Sequence, residues 1–230
     1  MKRIAKRSEP RSFSKWKALI DDNYRPDWND MPGDLKRLLH RQLIAEQGGI
    51  CCYCNCEIGD KTSHVEHLKP RNWDGGRKTH YRDCQFEYDN LMSSCGRNRQ
   101  RREPLHCGAA KGSWYDESLM VSPLSARCEQ RFRYSADGCI REASDNDEAA
   151  RTTIRKLNLH IDKLNRMRRG AIDGALDNID DLDSDDLRRL IAGFSQPDPN
   201  GRYHPFCTAI AQVLNRLLPE TAAQFNDKRS

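Results

Sequence analysis

The sequence predicts an α+β fold in which a small, cysteine-rich centre lies between an N-terminal helix and a C-terminal helical region. Apolar residues recur at helical spacing before residue 47 and after residue 144. Residues 48–112 combine glycines, charges and cysteines, which favours short strands and loops. Such a centre has a small core and needs a metal to hold it. We therefore divide the chain into segments 1–47, 48–143 and 144–230.

Composition narrows the class of protein. The 230 residues include 39 Lys and Arg against 34 Asp and Glu, a net charge of +5 that is compatible with a nucleic-acid partner. No apolar stretch has the length of a signal peptide or of a membrane span, so we expect a cytoplasmic protein without membrane contact. Cytosolic thiols stay reduced, so the ten cysteines indicate metal binding rather than disulfides.

Helices are predicted on both sides of the centre. After a polar, proline-punctuated segment expected to be a loop (1–33), Asp34 caps a helix that runs to about Gln47. A helix from about 148 to 172 follows the cap residues after Ser144, another follows Ser184, and a last helix runs from Pro205 to Pro219. The predicted buried positions are Leu35, Leu39, Leu43, Ile154, Leu157, Ile161, Leu164, Ala171, Leu187, Leu190, Ile191, Phe194, Phe206, Ile210, Val213 and Leu217.

Four cysteines are predicted to bind one zinc ion. Cys51 and Cys54 form a CxxC, a spacing that places two thiolates on one tetrahedral Zn²⁺. Cys95 and Cys107 are the expected second pair. Cys52 and Cys56 lie in the same stretch and are alternative ligands, whereas the isolated Cys84, Cys128, Cys139 and Cys207 are expected to be ordinary thiols. A four-cysteine zinc site has no open position, so any chemistry must lie elsewhere.

The string "SHVEHL" (63–68) supplies candidates for that chemistry. It is not the HExxH of zinc proteases, because the two histidines are three residues apart. Glu66 and His67 point to opposite faces of a strand but can converge at a strand end. His64 is expected to have a structural role.

In order along the chain, "CCYC", "EHLKP", "YDNL", "SSC" and "HCGAAKG" resemble the HNH (ββα-metal) endonuclease motif. The resemblance implies a zinc-stabilised ββα-metal core and phosphodiester hydrolysis. It implies His67 as general base, Glu66 as a ligand of catalytic Mg²⁺ or Mn²⁺, and Asn90 as the residue that braces the loop. The chain also resembles the PtuB type of HNH protein, through the less specific strings "KRIAKRSEP", "EQGGICCYC" and "GRYHPFCTAI". This resemblance implies a Septu-like or retron anti-phage system.

The chain departs from this family pattern at one position. The family usually places a histidine or asparagine directly after the last zinc cysteine, and here that position is Gly108. The second ligand of the catalytic metal is therefore open. His106 is preferred because it adjoins a zinc ligand, while Asn98 and His64 are the alternatives.

The predicted partners follow from charge and from the resemblance. Basic residues beside the site can hold phosphates of DNA or RNA, and the candidates are Lys69, Arg71, Arg97, Arg99, Arg101, Arg102 and Lys111. The resemblance adds a PtuA-type ATPase, docked by the C-terminal helices, and a retron reverse transcriptase with its RNA–DNA product. The rival interpretation is a zinc-stabilised nucleic-acid-binding or adaptor protein with an inactive site.

Overall fold

The computed structural model describes residues 1–71, 81–96, 103–177, 179 and 181–218, and the α+β class is confirmed in these ranges. The helices are α1 (Arg11–Lys17), α2 (Gly33–Glu46), α3 (Gly108–Lys111), α4 (Glu148–Lys156), α5 (Asp162–Leu176), α6 (Ser184–Ser195) and α7 (Cys207–Asn215). The strands are β1 (Ser63–His67), β2 (Leu91–Cys95), β3 (Phe132–Tyr134) and β4 (Ile140–Glu142). Among the described residues, no helix combines the length and apolar character that crossing a membrane requires.

The N-terminal segment is more ordered than the sequence indicates. Helix α2 confirms the predicted helix, but Asp34 does not cap it: Pro32 is the N-cap residue, and Asp34 lies in the first turn. Helix α1 lies in the segment expected to be a loop. Helix α1 has 7 residues, and only Phe13 and Trp16 of them are buried. Two apolar positions are too few to show a helical period in the sequence. Both join Trp28 and Leu39 in an apolar cluster that reaches Leu91 of β2.

Strands β1 and β2 form an antiparallel pair that positions the central residues. His64 pairs with Ser94, Glu66 with Met92, and His67 with Leu91. The short helix α3 follows in the chain, and the backbone N–H of Gly108 donates to Ser94 Oγ at 3.1 Å. The first turn of α3 is thereby fixed to the hairpin.

A tight loop before β1, residues 50–57, is attached to the other strand. Its ends form an isolated bridge between Ile50 and Glu57, and the N–H of Cys52 donates to the carbonyl of Ser93 at 3.1 Å. Asn55 has a φ of 64°, a left-handed conformation that asparagine tolerates better than most residues. The loop therefore delivers its cysteines next to the end of β2.

The predicted helix over 148–172 is in fact two helices, α4 and α5. Asp147 caps α4 by accepting a hydrogen bond from the N–H of Ala150. The helix ends because the carbonyl of Leu157 accepts from the N–H of Cys107 at 2.8 Å and Asn158 turns to a φ of 49°. The break thus ties the C-terminal region to the segment that carries the last predicted zinc ligand.

Helices α6 and α7 confirm the remaining predictions in type, with one difference in extent. Asp183 caps α6, and Leu187 and Ile191 are buried. Helix α7 ends at Asn215, so Leu217 is 49% exposed rather than buried. Pro219, the predicted end, lies outside the described residues.

Candidate metal centre and active site

Four cysteine sulfurs converge between the 50–57 loop, the end of β2 and the start of α3. The sulfurs of Cys51, Cys54, Cys95 and Cys107 all lie within 4.8 Å of one another, and all four residues are buried. We call this group the four-cysteine cluster. Cys52 and Cys56 are also buried but do not belong to it.

The dimensions of the four-cysteine cluster fit a tetrahedral metal. Sulfurs bound to one Zn²⁺ at about 2.3 Å lie roughly 3.8 Å apart. The Sγ atoms of Cys54 and Cys95 are 3.7 Å apart. The backbone N–H of Cys95 also donates to Cys51 Sγ at 3.4 Å, a contact that stabilises a thiolate. The cluster can therefore hold a metal ion such as zinc.

Glu66 is a buried carboxylate held by three side chains. Its Oε1 accepts a hydrogen bond from Tyr53 Oη at 3.2 Å and forms an ion pair with Lys111 Nζ at 3.0 Å. Its Oε2 lies 3.5 Å from His64 Nε2. Burial acts to raise the pKa of Glu66, but the hydrogen bond with His64 and the charge of Lys111 outweigh it and lower the pKa. Glu66 is thus ionised at neutral pH.

His67 is a buried imidazole in its neutral form. Burial and the nearby positive charge of Arg71 lower its pKa to about 4. Its Nε2 lies 3.1 Å from the carbonyl oxygen of Gln85, and the ring of Trp28 packs edge-on at 4.5 Å between centroids. A carbonyl can only accept, so Nε2 carries the proton and Nδ1 keeps its lone pair. This is the tautomer of a base with one free nitrogen.

Asn90 fixes the two loops around His67. Its Nδ2 donates to the carbonyls of Lys69 and Cys84, each at 3.0 Å, and its Oδ1 accepts from the N–H of Lys69 at 2.7 Å. The first loop follows β1, and the second contains Gln85, the hydrogen-bond partner of His67. Asn90 therefore sets the position of the imidazole through backbone atoms.

Glu66 and His67 line an open cleft of about 400 Å³. Its lining includes His64, Val65, Glu66, His67, Pro70, Arg71, Lys111, Gly112 and Ser113. Arg71 lies against the Trp28 ring, and Lys69 lies over the Tyr81 ring. Lys111, predicted as a surface contact for phosphate, is instead buried, with Nζ 2.9 Å from the carbonyl of His67.

The remaining predicted residues lie beside the four-cysteine cluster or outside the described ranges. His106 is buried against the four-cysteine cluster, with Nδ1 at 3.3 Å from Cys107 Sγ and 3.7 Å from Cys95 Sγ. Arg97, Asn98, Arg99, Arg101 and Arg102 fall in 97–102, outside the described residues.

Sequence reasoning missed Tyr53, Trp28 and Gln85. Tyr53 lies between the two cysteines of the CxxC, so its place next to Glu66 follows once the loop packs on β2. Trp28 and Gln85 are distant in sequence, and no local pattern indicates that they contact His67.

Comparison with curated proteins identifies a relative of this chain. No family model matches the chain. A curated protein of Vibrio cholerae serotype O1 biovar El Tor, named "Retron Vc95 putative HNH endonuclease", is 29% identical over 143 residues. The match covers 60% of this chain and 65% of the relative, slightly less than two thirds of its length.

Proposed function

We propose that the chain is a metal-dependent HNH endonuclease that hydrolyses phosphodiester bonds in nucleic acid. The observation that carries the proposal is His67, a neutral imidazole whose Nε2 is fixed to the Gln85 carbonyl beside the carboxylate of Glu66. A hydrolase needs such a base to take a proton from the attacking water. The name of the Vibrio cholerae relative supports the same reaction class.

The roles of the side chains follow from their contacts. His67 Nδ1 takes a proton from water, the water oxygen attacks phosphorus, and the bond from phosphorus to the leaving oxygen breaks. Arg71 and Lys69, on the rim, bind and orient the phosphates of the strand. Lys111 holds both Glu66 and the His67 carbonyl, so it positions the two residues relative to each other.

A divalent cation completes the proposed site. The carboxylate of Glu66 fits Mg²⁺ or Mn²⁺, which prefer oxygen ligands, and its ion pair with Lys111 is made by Oε1. When bound, the cation stabilises the negative charge that develops on the leaving oxygen. Zn²⁺ in the four-cysteine cluster serves stability alone, because four sulfurs leave it no position for substrate.

The biological setting of the proposal rests on the relative and on the sequence resemblance. The relative's name places that protein in a retron. We propose that this chain is likewise the effector of a bacterial anti-phage system. Its partners would be a PtuA-type ATPase docked on the C-terminal helices and a retron reverse transcriptase with its RNA–DNA product.

A second candidate is a zinc-stabilised nucleic-acid-binding or adaptor protein with an inactive site. Gly108 favours it, since the family ligand after the last cysteine is missing. On this candidate, the cleft binds a strand through Lys69 and Arg71 but does not cut it.

Cleavage assays separate the two candidates. Wild type, His67→Ala and the exposed-histidine control His160→Ala are incubated with DNA and RNA, with any co-purifying ATPase, in Mg²⁺, Mn²⁺ or EDTA. We expect cleavage that EDTA abolishes, that His160→Ala retains, and that His67→Ala lowers by about 100-fold or more.

Two outcomes contradict the proposal, the first in the role of His67 and the second in the activity itself. Equal cleavage by wild type and His67→Ala removes His67 as the base. Binding of nucleic acid without cleavage by any protein, even with the ATPase present, favours the binding module.

A further inference from the structure

Gly108 opens directly onto the carboxylate of Glu66. A Cβ added to Gly108 would lie 3.0 Å from Glu66 Cδ, still closer to Oε2, and 3.1 Å from His64 Nε2. A side chain at this position would therefore occupy the space between the two residues. The absence of a side chain at 108 keeps that space free.

His64 and Glu66 reach this space from the same strand. Side chains two apart on a strand point to one face, and both residues lie on β1. Glu66 is buried, with 8% of its side chain exposed, whereas the His64 side chain is 36% exposed at the edge of the cleft. Solvent and a cation can thus reach the pair from one side.

The two oxygens of Glu66 have different surroundings. Oε1 accepts a hydrogen bond from Tyr53 and forms an ion pair with Lys111. Oε2 faces His64 Nε2 at 3.5 Å. Ligand atoms at about 2.1 Å from one octahedral ion lie roughly 3.0 Å apart at adjacent positions, so a small shift brings both atoms onto one ion.

We infer that His64 Nε2 and Glu66 Oε2 are the two protein ligands of the catalytic cation, and that Gly108 is required because any side chain there fills the site. The inference rests on the proposed nuclease function. The second cation ligand would then lie on β1, three residues before His67, and not at the family position on α3, which is Gly108 here. His106 is excluded from this role by its place, since its Nδ1 contacts the sulfurs of Cys95 and Cys107.

Direct cation binding tests the ligand pair. Mn²⁺ affinity of the full-length protein is measured by electron paramagnetic resonance after its zinc content has been determined. We expect Glu66→Gln and His64→Ala each to weaken Mn²⁺ binding by about tenfold or more, and His106→Ala to change it by less than about threefold. Thermal unfolding shows that each variant is folded.

A glycine pair tests the requirement for space. Gly108→Ala is expected to weaken Mn²⁺ binding as strongly as His64→Ala while leaving zinc content unchanged. Gly174→Ala on α5 is the matched control, because an added Cβ there meets nothing within 4 Å. We expect the control to bind Mn²⁺ like wild type.

The outcomes distinguish this inference from the proposed function. Mn²⁺ binding that depends on His64 without any cleavage of nucleic acid supports the cation site and overturns the nuclease. Cleavage that depends on His67 while His64→Ala binds Mn²⁺ like wild type overturns the ligand pair and leaves the nuclease standing. Wild type that binds no Mn²⁺, or loss of binding in His106→Ala, also overturns the pair.

Discussion

The four-cysteine cluster and the cleft are built on the same hairpin, yet they are organised in opposite ways. In the cluster, the four side chains converge on one another and are all buried. In the cleft, His67 is held by the backbone carbonyl of Gln85, and the site is open to solvent. One β-hairpin thus carries a closed cluster of buried thiols and an open, polar cleft. The separation can be tested by changing each site alone.

The largest effect is expected from the four-cysteine cluster. Cys95→Ser removes one of four sulfurs, so zinc is lost and the free energy of unfolding falls by about 5 kcal/mol or more. Zinc content by mass spectrometry and unfolding in urea measure both. Cys139→Ser, outside the cluster, is the control, with an expected change below about 0.5 kcal/mol. A Cys95→Ser protein with full zinc would place the metal elsewhere.

Removal of Lys111 is expected to have the next largest effect. Lys111→Met keeps the apolar stem but removes the ammonium group that pairs with the buried Glu66 carboxylate, which costs about 3–5 kcal/mol of unfolding free energy. Adding Glu66→Gln removes that charge, so the double variant should be more stable than Lys111→Met in urea. If Glu66→Gln destabilises the Lys111→Met protein further, the ion pair between Lys111 and Glu66 does not account for the loss of stability.

Asn90→Ala is expected to cost less, because it removes hydrogen bonds and no charge. The variant loses the two hydrogen bonds that the Asn90 side chain donates to backbone carbonyls and the one that it accepts from a backbone N–H, which destabilises the protein by about 1–3 kcal/mol. Cleavage is expected to fall because His67 loses its fixed position. Asn215→Ala, at the exposed last residue of α7, loses one side-chain hydrogen bond to the Ala211 carbonyl; it is the control and should change neither property. Unchanged cleavage in Asn90→Ala would contradict the bracing role.

The smallest effect concerns pH. The folded pKa of His67 is about 4, below the usual 6.5, so the unfolded chain binds the proton more tightly and stability falls as pH drops from 6.5 towards 4. Between pH 6.5 and 5.0 this amounts to about 2 kcal/mol at most. His67→Gln should lose that much less stability than wild type over the same interval in urea unfolding. Parallel pH profiles would show that His67 does not carry the shift.

The closed site could be predicted from sequence and the open one only in part. A zinc site uses few residue types, often at short spacing, so the CxxC together with Cys95 and Cys107 was enough to predict which four residues converge. The two-residue spacing of His64 and Glu66 places both side chains on one face of a strand. The open space between them could not be predicted, because Gly108 comes next to Glu66 only in the folded chain. The break after α4 could not be predicted, because it depends on the N–H of Cys107 bonding to the carbonyl of Leu157.

The most direct test of two separate sites is zinc content and cleavage measured on the same preparations of wild type and His67→Ala. The account predicts one zinc per chain in both proteins, with cleavage lost in His67→Ala alone. Loss of zinc together with cleavage in His67→Ala would contradict it, because the four-cysteine cluster and the cleft would then be one site.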